Sequence, residues 1–216
     1  KVDVMARKEF SRALFGNYHP CGRHAVLEDY ECLTTEHLKD FYHRYYHSGN
    51  CSIFLSGNIS EMIIHQVKDE LGSSPWGSMH PCEPLSPLPI PDYEGRRIIL
   101  EHPTAVQSSL RLGSPLVDRT HPDFAALKVL VTVLGGYFGS RLMSNIREEK
   151  GYTYGINASI ASFPFQGYLA IGTETDNEYV EPCIREVKYE MRRLQEELIP
   201  EQELSMVKNY MIGEMC

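Results

Sequence analysis

The sequence predicts an α+β fold, an antiparallel sheet with helices packed on one face, arranged as two structured halves. Short apolar or alternating runs come in neighbouring pairs, 97–102 with 106–113 and 154–161 with 165–175, as adjacent antiparallel strands would. Each pair is followed by two helix-like stretches, so the order strand-strand-helix-helix repeats. Between the halves, residues 72–95 hold Pro75, Pro81, Pro84, Pro87, Pro89 and Pro91, which forbids a helix or a central strand there.

Taken in order, Thr34 or Thr35 is placed to cap a helix running to about Tyr46. SIFLS at 52–56 reads as a short strand, Gly57-Asn58 as a turn, and Ser60 as the start of a helix ending near Gly72. This gives a first half over 1–77, a linker over 78–95 and a second half over 96–216. RIILEH (97–102) opens the second half as a strand, and VQSSLRLG (106–113) follows, alternating Val106, Ser108, Leu110 and Leu112 against Gln107, Ser109 and Arg111. Pro122 stands in the first turn of a helix through AALKVLVTVL, apolar nearly all round and so expected to be buried. GGYFGS makes a Gly-rich turn, with Ser140 as cap of a short helix, SRLMSNIREEK. YGINASIA and FQGYLAIGTET form a hairpin around Phe163-Pro164. Helices then start at Asn177, with Pro182 in the first turns, and at Pro200. The second is in mid-pattern at Cys216, the mark of a truncated second half of a longer chain.

Composition narrows the function classes. The content, 42% apolar and 23% charged, is that of a globular protein able to bury a core. A net charge of −8, with no basic stripe, argues against nucleic acid or an anionic membrane as partner. No run of about 18 apolar residues is present to cross a bilayer. Cys21, Cys32, Cys51, Cys82, Cys183 and Cys216 form no Cys-x-x-Cys pair, so reduced thiols are the default. Cytoplasm is the favoured compartment, with periplasm and organelle left open, as is a homo-oligomer.

His43 and His47 have the four-residue spacing that places two imidazoles on one helical face around zinc. Tyr46 stands where an inverted zinc motif needs its glutamate, and the wheel turns both histidines away from the stripe of Leu38, Phe41, Tyr42 and Tyr45. His19, Cys21 and His24 sit in an irregular Pro-Gly loop without a fourth ligand, and His80 and Glu83 lie in the proline tract, so no metal site is expected in this chain. Arg147 and Tyr154 carry two readings. One is structural, an arginine in a last helical turn paired with Glu148 and Glu149 and a tyrosine covering the sheet beside Ile156 and Ala158; the other is a functional pair.

Through LMSNIREEKGYTYGI, and through ALFGNYHPCGRHAVLEDYECLTTEHLKDFYHRYYHSGNCSIFLSGNIS, the sequence resembles the pitrilysin/insulinase-type zinc metallopeptidases, the family of mitochondrial processing peptidase. The resemblance implies two related halves closing around a peptide, with 1–77 the end of the zinc-bearing half and 96–216 most of the zinc-free half. It implies zinc as cofactor of the parent protein, with ligands outside this chain, and as partners a peptide substrate and either an upstream zinc-bearing segment or a partner subunit. It implies that Arg147 and Tyr154, seven residues apart, reach the substrate backbone near zinc as catalytic residues. Gly135, Gly136, Phe138 and Gly139 would then line the chamber as substrate contacts. A non-catalytic scaffold or inactive subunit of the same fold is the alternative the family allows.

Overall fold

The computed structural model describes residues 1–77, 86–90 and 95–215. It forms two compact units, Lys1–Arg23 with Pro87–Cys216, and His24–Ser86. His80, Cys82 and Glu83 lie outside the described residues.

The larger unit is α+β. Its strands are β1 (Gln107–Leu116), β2 (Thr153–Phe163) and β3 (Gln166–Asp176), all antiparallel in the order β1-β3-β2. Pairing Leu112 with Ile171 and Ile171 with Ala158 puts these residues on one face of the sheet, together with Leu110, Leu169, Ile156 and Ile160. That face packs against Val131, Leu134, Leu142, Met143, Ile146, Cys183 and Val187 from the helices. Burying these side chains stabilises the unit by roughly 1.5–3 kcal/mol each. Helices α5 (Phe124–Val131), α6 (Val180–Glu196) and α7 (Glu201–Gly213) belong to this unit. In α6, Cys183, Val187 and Glu190 are buried at helical spacing, and the Pro182 ring is tolerated as the third residue of the helix.

A further helix, α1 (Val2–Phe15), covers part of the opposite face. Phe10 and Phe15 meet the ring of Tyr168 edge-on at 5.9 and 5.7 Å, and Tyr168 alternates with the core-facing Leu169. Residues 1–15 carry no cap motif, so the sequence reading gave them no element. Their helical signal is the spacing of Val2, Met5, Ala6, Phe10, Ala13 and Leu14, reinforced by ion pairs Asp3–Arg7 and Glu9–Arg12. Beyond α1, His19 is buried against Phe15, accepts from the backbone N–H of Cys21, and meets Gln166 at the hairpin at 3.0 Å. His19 thus ties the end of α1 to the hairpin.

In the smaller unit, α2 (Leu27–Glu31), α3 (Thr35–Tyr45) and α4 (Glu61–Val67) form. Thr34 and Ser60 cap as expected, accepting from the backbone N–H of His37 and Ile63. The helix α3 stops at Tyr45, so His47 leaves its face and is buried, 2% exposed, where Ser48 donates to the Trp76 carbonyl at 2.9 Å. The wheel placed His47 toward solvent; the earlier end of the helix is why that fails.

Four other expectations need correction. Residues 52–56 and 97–102 form no strand, because apolar β-formers still require a paired neighbour, and neither run has one among the described residues. The helix after Pro122 begins at Phe124 and leaves Ala125, Ala126 and Lys128 exposed, so it is not buried all round. Ser140 accepts from Ser144 N–H through its carbonyl at 2.9 Å, whereas its buried hydroxyl has no partner among the described residues. Helix α7 closes at Gly213, ahead of Cys216.

Candidate functional site

Arg147, Phe138 and Tyr154 come together at the start of β2. The chain reaches them through two π-helical stretches, Thr132–Gly136 and Met143–Glu149, on either side of the Gly-rich turn. Such wide turns are rare and re-aim side chains. Leu142, Met143 and Ile146 anchor the second stretch in the core, leaving Arg147 half-buried beside them. Its guanidinium carbon lies 4.6 Å from the centre of the Phe138 ring and 5.7 Å from that of Tyr154. These are cation–π contacts, worth about 0.5–1 kcal/mol each where water has access. No ion pair joins Arg147 to Glu148 or Glu149, and among the described residues rings, not carboxylates, hold it.

Tyr154 owes its position to a β-bulge. The register shifts between Thr153 and Ile156, so Tyr154 and Gly155 together oppose Glu174. The parity with Ile156 and Ala158 is thereby broken, and Tyr154 stands 93% exposed while Ile156 is buried. Thr153 braces the bulge, donating through its hydroxyl to the Glu174 carbonyl at 2.6 Å and receiving the Gly155 N–H at 3.1 Å.

Among the turn residues, Gly135 is buried: a Cβ there would stand 2.6 Å from the Ala158 nitrogen and 2.7 Å from its Cβ, so only glycine permits this approach of helix to strand. Gly136, Phe138 and Gly139 are exposed. Tyr137 lies tilted against Tyr210 of α7, ring centres 5.4 Å apart, and burial beside Glu203 raises its phenol above the ordinary range. Arg141 forms a two-pronged pair with Glu203 at 3.0 and 2.8 Å, fixing the turn to α7.

A polar network fixes the other side. Asn145 donates to Glu190 at 2.7 Å and to Glu186 at 3.2 Å, and Lys150 donates to Asn145 Oδ1 at 2.6 Å and to Glu186 at 2.9 Å. The hydrogen bond to Glu186 raises Lys150. Burial opposes ionisation of Glu186, yet the donors Lys150 and Asn145 outweigh it and hold its carboxyl below the usual range. None of this network was singled out in the sequence; the spacing Asn145…Lys150 against Glu186…Glu190 is its only trace.

Among the described residues no group of three or more His, Cys, Asp or Glu side chains is placed to hold a metal ion. No helix there is long and apolar enough to cross a membrane.

Comparison with known proteins bears on this arrangement. The chain is 28% identical over 217 residues to "Uncharacterized zinc protease YmxG" of Bacillus subtilis, covering 99% of this chain and 51% of that protein. It is 25% identical over 219 residues to "Non-peptidase homolog YmxG" of Helicobacter pylori, covering 98% and 48%. It superposes on a peptidase M16 inactive domain from Pseudomonas fluorescens with a TM-score of 0.75 and 27% identity, over 100% of this chain and 52% of that one. A protease from Helicobacter pylori, 18% identical with a TM-score of 0.78, shares the fold over 98% of this chain and 52% of its own. The chain thus spans about half the length of the curated relatives it matches. The family described as "Peptidase M16 inactive domain" matches residues 33–211, and with the α+β sheet and the Arg147 cluster already in view, the chain belongs to that family.

Proposed function

We propose that this chain serves as the zinc-free, peptide-orienting part of a two-half metallopeptidase, with Arg147 and Tyr154 donating hydrogen bonds to the peptide backbone. The described residues supply no donor set that fits zinc, so in this reading a metal would be held by residues outside this chain. The observation that carries the reading is Arg147 held against two rings with no carboxylate partner among the described residues. Ring contacts occupy the face of a guanidinium and leave its in-plane N–H donors for a ligand. An extended peptide carbonyl at the bulge would accept from Arg147 and from the Tyr154 phenol, both of which stabilise negative charge developing on that oxygen. Phe138 orients the guanidinium; Gly136 and Gly139, having no side chains, let a peptide approach the backbone of the turn.

The experiment is turnover of a quenched fluorescent peptide by the full-length protein carrying Arg147→Ala or Tyr154→Phe, with thermal midpoints measured in parallel. A fall in kcat/KM of about 100-fold with little change in Tm is expected, the size of one lost oxyanion donor. Wild-type turnover per folded molecule would refute the assignment.

A second reading, a non-catalytic scaffold of the same fold, is favoured by the name of the Helicobacter pylori relative. It predicts no turnover in the full-length wild type and a peptide affinity that still depends on Arg147.

A further inference from the structure

Arg111 is the feature the Arg147 cluster does not use. It lies on β1, paired with Gly172 of β3 and through it with Asn157 of β2, on the sheet face away from the helical core. Its guanidinium lies across Gly172 closely enough that a Cβ there would overlap it, and the Asn157 carboxamide oxygen lies 3.5 Å from the same point. Arg111 is half-buried, and among the described residues its Nε, sealed from solvent, has no hydrogen-bond partner. Glu174, on the same face and diagonal to Arg111 through Ser109, makes no pair with it. The terminal nitrogens of Arg111 are not sealed, and an anionic ligand would supply them with an acceptor.

The surroundings are those of a groove. A cavity of about 820 Å³ runs between α1 and β1, with Ile98, Ile99 and Leu100 as its apolar side and Ser109 and Arg111 on the strand. The Ser109 hydroxyl is also buried, without a partner among the described residues. Of the charges on the groove, Arg97 pairs with Glu181 and Glu9 with Arg12. This leaves Arg96, Arg111 and Lys188 against Glu101, a net positive lining on a chain of net charge −8. Among the described residues the side of β1 away from β3 has no strand partner, the edge to which an extended segment can add.

The geometry points to a carboxylate-binding subsite on the open sheet face, where Arg111 receives an acidic side chain of an extended peptide lying in the groove between α1 and β1. The subsite deepens the peptide-orienting reading above and rests on it. Acidic peptides are thereby favoured.

The test uses the 216-residue chain and two fluorescein-labelled octapeptides that differ only by Glu or Gln at one position, read by anisotropy. The Glu peptide should bind about tenfold more tightly, and Arg111→Met should erase that preference without weakening the Gln peptide. In the unmutated chain, the Arg111 Nε–H resonance should move on adding the Glu peptide and not the Gln peptide, which keeps the test independent of how the variant folds. Equal affinities, an unmoved resonance, or a preference that survives Arg111→Met would overturn the subsite, as would binding of neither peptide. Arg147→Ala separates the two ideas: it should weaken both peptides alike if the peptide-orienting reading is right, whatever becomes of the Glu preference.

Discussion

Replacing Asn145 by Leu should destabilise the sheet-bearing unit by about 3 kcal/mol. Asn145 is 6% exposed and makes three hydrogen bonds to charged groups, two as donor to Glu190 and Glu186 and one as acceptor from Lys150. Bonds of this kind contribute about 1.5–3 kcal/mol each, so a simple sum would lie between about 4.5 and 9. The sum overstates the loss, because every partner keeps a second one: Lys150 and Glu186 keep each other, and Glu190, 2% exposed, keeps Arg193 at 3.3 Å. Leu also adds apolar contact beside Ile146 and Met143, which offsets part of the rest. A net cost of about 2–4 kcal/mol remains, or a fall in Tm of about 5–12 °C for a chain of this length. Urea unfolding followed by far-UV circular dichroism measures it, and hydrogen exchange of the β2 and β3 amides locates it. Asn145→Asp discriminates further. It sets a third carboxylate against Glu186 and Glu190, so its deficit should exceed that of Leu at pH 7 and shrink as acid protonates the cluster. A Leu variant within about 0.5 kcal/mol of wild type would refute the view that this network holds the π-helix carrying Arg147.

Gly135→Ala should cost about 1–3 kcal/mol, since the added methyl meets the Ala158 backbone at 2.6 Å and the strand cannot yield as a flexible side chain would. Gly136→Ala, whose nearest contacts are all on the Thr132 side chain at 3.1–3.2 Å, is the control, and equal Tm shifts for the two would discredit this packing. The Lys150–Glu186 pair predicts a pH window. Glu186, lowered, stabilises above the ordinary glutamate range and loses that contribution as pH falls below about 4. Lys150, raised, stabilises below about pH 10 and loses its share above it. The stability difference between wild type and Lys150→Met should therefore be flat near neutrality and shrink toward pH 3, and a gap that does not change with pH would exclude the pair as its source.

Where the sequence could be read, it was because local physics decides. The hairpin was legible from alternation alone, with the turn displaced to Phe165, which adopts a φ of 68°. Thr34 and Ser60 were legible as caps for the same reason. Residues 52–56 and 97–102 misled because a strand is defined by its partner, which no stretch of sequence contains in itself. Helix α1 was missed because its start lacks a cap, although its apolar spacing was present. At the site, Arg147 and Tyr154 stood out through a family motif, and Phe138 through its place in a Gly-rich turn. Arg111, Asn145 and Glu190 gave no signal, because their roles depend on who faces them across strands and helices.

The bulge at Tyr154 and Gly155 acts on the hydrogen-bond ladder as a dislocation does in a lattice: residues on either side of it count out of phase. Whether a side chain before Ile156 looks inward cannot be found by counting back in twos from the middle of β2. A relative one residue shorter just before the tyrosine, with its Tyr-Gly-Ile run in regular pairing, would keep a tyrosine in the same alignment column and yet turn it inward. Such a protein would have lost the phenol from its surface with no substitution to show for it.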